Sequence, residues 1–288
     1  MRFRAVVVVL TRLLSFLLVA QSQNTGAASG SVDVLGVKLG ATLDQAMAAV
    51  KAGNPALVID VHDSFVVFPG KQVQVHRGFI AHTPRGKNPS YYFGADGAYD
   101  VVGVQIAFPP GPQVVEMVSR YVGFANNAPV AKANLLEALR MKYGPETAMD
   151  GPNPYWVFDG SGKIIRTKLT PDQMNCMTMV QFNRLDIRDG GGLGAAGAQW
   201  DQANEITTNL NSSTLYTTNS AKCLPYTIVK AELALNTPDL AGGFMVTALS
   251  PGIAHNGMAA TNAAIRGEID KLAQQQKDAA SKRGPGKL

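Results

Sequence analysis

Asp60 and His62 fall on one face of the alternating run 56–62, and His76 and His82 on one face of the run 71–83. If those runs pair, imidazole nitrogens and carboxylate oxygens converge, with Asp63 close by, as the donor set a divalent metal takes. The plainer reading is a polar outer face on a half-buried sheet. The fourth histidine, His255, stands apart. A Ser-His-Asp hydrolase would have to be assembled from distant residues. G-x-S-x-G is absent, and Ser161 lies between Gly160 and Gly162, where serine serves a tight turn. H-E-x-x-H and the P-loop are absent too, and the acidic residues suggest no general acid/base pair. The sequence assigns no catalytic, cofactor-binding or metal-binding residue.

Gly192-Leu193-Gly194-Ala195-Ala196-Gly197 matches G-x-G-x-x-G. The dinucleotide fingerprint needs a buried strand before it and an acid about 20 residues later. Here the preceding stretch 184–189 is charged and 212–222 contains no acid, so the segment reads as a glycine-rich loop. Tyr91-Tyr92-Phe93 and Tyr155-Trp156 are aromatic runs; buried, they build core, and exposed, they bind partners or glycans.

The site that the sequence does specify is a covalent one. Cys176 and Cys223 are the two cysteines of the chain. With no C-x-x-C, they point to a disulfide rather than to redox catalysis or a zinc knuckle. In the chain-entropy model, closing a loop of that length contributes about 4 kcal/mol. The compartment agrees. Arg2 and Arg4 precede an apolar stretch from Ala5 to Ala20, and Ala20 and Ser22 offer small residues for cleavage after Ser22. Arg12 leaves an uninterrupted run of only eight residues, Leu13–Ala20, well short of the roughly 20 that span a bilayer. Residues 1–22 are therefore expected to be a signal peptide, and the protein to be periplasmic or secreted without a stable membrane span.

Removing Arg2, Arg4 and Arg12 from 26 basic residues leaves 23 against 21 acidic ones, a net charge of +2 instead of +5. No basic stripe with interleaved aromatics marks a nucleic-acid surface. Lys277, Lys282, Arg283 and Lys287 outnumber Asp278 in the tail, which reads as a solvated terminus.

The elements follow from periodicity. A strand is expected over 32–38. Thr42 and Gln45 form a capping box for a helix whose Leu43, Ala46, Met47 and Val50 make one stripe, ended by Gly53 and Pro55. Strands are expected at 56–62, 65–68, 71–83 and 100–108. Residues 113–124 fit either period, and the β-formers Val118, Tyr121, Val122 and Phe124 decide for a strand. A second helix over 129–143 has Asn127 as cap and Pro129 in its first turn, with Leu135, Leu136, Leu139 and Tyr143 facing inward. A hairpin is expected from 155–159 and 163–169, then strands at 177–182, 224–235 and 244–249. Ser250-Pro251 opens a final helix with the stripe Met258, Ile265, Ile269 and Leu272. The loop 184–222, rich in Gly, Thr, Asn and Ser, is bracketed by the cysteines and is a candidate contact surface. Strands in runs with helices between them imply an α+β protein, antiparallel sheets packed by two or three helices, the last one long. The expected organisation is a signal at 1–22, an N-terminal α+β module at 23–150, a β-rich module with the terminal helix at 151–283, and a tail at 284–288.

Gly36-Val37-Lys38-Leu39-Gly40 followed by Thr42-Leu43-Asp44-Gln45-Ala46 resembles the opening of the bacterial envelope modules of the SmpA/OmlA and β-lactamase-inhibitor-like type. Leu139-Arg140-Met141-Lys142-Tyr143-Gly144-Pro145 is similar to a helix end common in exported bacterial α+β proteins. The resemblance implies a non-enzymatic envelope protein that acts through contacts with an envelope or extracellular partner protein, although the lipid-attachment cysteine of the lipoproteins is missing. No cofactor is expected. The competing expectation is an exported hydrolase, or an inhibitor of one, with a site built from scattered residues.

Overall fold

The computed structural model describes residues 32–282 other than 69–70, 85–96, 108, 126–127, 175 and 177–219. Leu35 and Gly36 take positive φ, 53° and 78°, and the Asp33 carboxylate accepts from the Gly36 N–H at 2.8 Å. That turn splits the expected strand 32–38 into a hairpin, β1 (Asp33–Val34) and β2 (Val37–Lys38). Helix α1 (Leu43–Gly53) starts on the expected capping box. Thr42 Oγ1 accepts from Gln45 N at 3.3 Å, and Gln45 Oε1 accepts from Thr42 N at 3.0 Å.

The main sheet is built from β3 (Val58–Phe68), β4 (Lys71–His82), β5 (Tyr99–Ile106), β6 (Val115–Gly123), β7 (Val130–Ala131), β8 (Ala148–Asp150), β9 (Asn153–Phe158), β10 (Thr227–Thr237) and β11 (Leu240–Leu249). Across the sheet the order is β3, β4, β5, β6, β11, β10, β9, β8, with β7 beside β11 in line with β6. Every described pairing is antiparallel. The sheet passes from β6 to β11 and so joins strands on both sides of residue 150. Two further helices complete the α+β fold, α2 (Lys132–Tyr143) and the long α3 (Pro251–Lys282).

Several expectations need correction. The two runs at 56–62 and 65–68 are one continuous strand, β3; the bulge in its pairing lies on β4, where Arg77 falls between Gly78, opposite His62, and His76, opposite Asp63, so that His76 and His82 do not share a face as expected. Helix α2 begins at Lys132 with Ala131 at its cap position and no side-chain cap, not at Asn127 and Pro129. The preceding residues Val130 and Ala131 pair with Ala241 and Leu240, which delays the helix. The expected hairpin at 155–169 reduces to one bridge, Phe158 to Ile164. β10 takes one edge of β9 and β8 takes Asn153–Tyr155 of the other, so only the end of that second edge, at Val157 and Phe158, is left for the segment after the turn. The stripe of α3 is buried only in part. Ile265 is buried, but Ile269 and Leu272 are 40 % and 37 % exposed. Thr261 ties the helix to the Pro109 carbonyl at 2.6 Å, and beyond Ile265 the helix runs on exposed. The expected strand at 177–182 lies outside the described residues. No described helix is long and apolar enough to cross a membrane.

The sheet has two apolar faces. On the first, α1, α2 and the β1–β2 hairpin cover Phe79, Val102, Val104, Val118, Trp156 and Val246. On the second, Ile80, Val101, Met117, Tyr155, Ile228 and Leu249 pack with Cys176 and Cys223. Successive residues of β5 point to opposite faces, and Val101 on one side and Val102 and Val104 on the other are all buried.

Candidate functional site

Cys176 and Cys223 are bonded, with Cα atoms 5.5 Å apart and both residues buried on the second face. Cys223 closes a short 3-10 turn, Ser220–Cys223, that leads into β10. Tyr226 and Ile228 follow directly and pack beside the bridge, and Gln173 donates to the Tyr226 hydroxyl at 3.2 Å. Both ends of the intervening segment are thereby fixed to the sheet. Most of the loop 184–222 lies outside the described residues, as do the 192–197 glycines and the run 91–93. Tyr155 and Trp156 are core residues on opposite faces.

The same face carries a polar row that sequence reasoning missed. Register aligns Ser119 on β6 with Thr247 on β11, Thr247 with Lys230 on β10, and Lys230 with Tyr155 on β9. Ser119 Oγ and Thr247 Oγ1 are 2.8 Å apart. Lys230 Nζ lies 2.7 Å from the Glu232 carboxylate and 5.3 Å above the Tyr155 ring. Ser119, Thr247 and Lys230 are all buried. No local spacing in the sequence marks the row, because register alone brings its members together: Ser119 precedes Lys230 by 111 residues, Tyr155 precedes it by 75, and Thr247 follows it by 17. An ion-paired ammonium is a hydrogen-bond donor rather than a base, so the row as arranged runs across four strands and does not activate a hydroxyl.

The histidines do not converge. His82 Nε2 meets Asp60 at 3.0 Å, and its Nδ1 meets the Thr83 carbonyl at 2.8 Å. Two acceptors flank that ring, so only its doubly protonated form donates to both. His76 Nδ1 meets Asp63 at 2.6 Å in a separate, exposed pair. These pairs cross from β3 to β4 on either side of the bulge, and His255 is distant on α3. Among the described residues no group of three or more His, Cys, Asp or Glu is arranged to hold a metal ion.

Other polar groups also close locally. Arg120 grips Asp100 through two bonds, 2.9 and 2.8 Å, and Asn54 at the end of α1 donates to the same carboxylate at 3.1 Å. Tyr143 donates to the Asp33 carbonyl at 2.9 Å, and burial pushes its phenol well up. Ser161 serves its turn by donating to Asp159 at 2.6 Å, which with the Lys163 and Ser161 N–H groups holds that carboxyl down. A shallow cleft lies between Gly36, Lys38, Leu39, Gly40, Ala41 and Gln45. No known protein family, curated protein or solved structure matches the chain.

Proposed function

We propose that the chain is an exported, non-enzymatic binding or scaffold protein, periplasmic or secreted, whose contact surface is the loop 184–222 that its two cysteines bracket. The observation that carries this reading is the buried Cys176–Cys223 bridge, 47 residues apart in sequence. A structural disulfide persists in an oxidising compartment, and the leader-like residues 1–22 direct a chain to one. Tying together the two ends of a segment lowers the entropy it loses on meeting a partner. The side chains first suspected of chemistry support the same reading, since Asp60, His82, Asp63 and His76 are engaged in pairs that hold a hairpin.

Two measurements test it. Intact mass of the protein recovered from the envelope or medium should lack residues 1–22 and rise by about 2 Da on reduction, one hydrogen per sulfur. Deleting residues 188–218 should leave the fold intact and abolish recovery of the partner. A retained leader with free thiols would remove the compartment argument, and unchanged partner recovery would remove the loop.

A further inference from the structure

We draw no further inference here: the strongest candidate, the outer half of helix α3, where Ile269 and Leu272 continue the stripe of the buried Ile265, is a partly exposed apolar face, and nothing in the structure shows what covers it.

Discussion

Ser119 and Thr247, 128 residues apart, share a 2.8 Å hydrogen bond where β6 meets β11. The bond sits at the join between the early and late strands of one sheet, and both residues are buried. Removing one hydroxyl strands the other. Ser119→Ala and Thr247→Val should each cost about 1–2 kcal/mol, while the double variant should cost less than the two together, because no polar group is then left unmatched. Urea unfolding of the four proteins measures the coupling. Strictly additive losses would mean that the two hydroxyls do not act as a pair.

Arg140 holds Glu146 through two bonds, 2.7 and 2.6 Å, across the turn that ends α2. The guanidinium lowers the carboxyl from 4.5 to about 2. A carboxyl lowered on folding contributes stability that is present above 4.5 and is lost as pH falls through 2. Arg140 is nearly half exposed, so solvent screening limits the pair to about 0.5–1 kcal/mol. Glu146→Gln should therefore lower Tm by roughly 2–4 °C at pH 7 and leave it unchanged at pH 2. Equal losses at both pH values would assign the effect to packing.

The buried bridge predicts slow chemistry as well as stability. Cys176→Ala with Cys223→Ala should cost up to about 4 kcal/mol, lowering Tm by roughly 8–15 °C. Because both sulfurs are covered, dithiothreitol without denaturant should reduce the bond slowly, and alkylation should track opening of the second face. Mass spectrometry over time reads this directly. Rapid reduction of the folded protein would show that the bridge is reached from solvent.

What was legible in the chain is what repeats locally. The capping box at Thr42 and Gln45 needs only four consecutive residues, and the alternation at Val102, Val104 and Ile106 needs only one strand. The pairing Cys176–Cys223 was legible because the chain offers no other. Tertiary demands hid the rest. Nothing near Val130 announces that Leu240 and Ala241 will pull it into a strand and shorten α2. The polar row of Ser119, Thr247 and Lys230 exists only once register brings three distant strands together. The histidine pattern was read correctly as to strands, yet Asp60 and Asp63 divide the rings between them instead of gathering them.

Glu116 shows how a buried charge can be tested. It sits with Gln105 and Arg77 at the bulge where β5 meets β6. The nearest approach of the Arg77 guanidinium NH2 to its carboxylate is 3.9 Å, the outer limit of an ion pair. Burial raises the carboxyl above 4.5, and the opposing pulls of Arg77 and the Gln105 hydrogen bond are smaller. A carboxyl raised on folding contributes stability that is fully present below 4.5 and is lost as pH climbs through its folded value. Glu116→Gln keeps the shape and hydrogen-bonding capacity but cannot ionise. The variant should thus gain on the parent protein as pH rises from 4 to 8, by about 1.4 kcal/mol for each unit by which folding raises the carboxyl. Arg77→Met should steepen the parent's decline over the same window, because the charge that offsets burial is gone. Urea midpoints at pH 4, 6 and 8 give both slopes, and parallel curves for the Gln variant and its parent would mean that Glu116 is solvated in the folded protein.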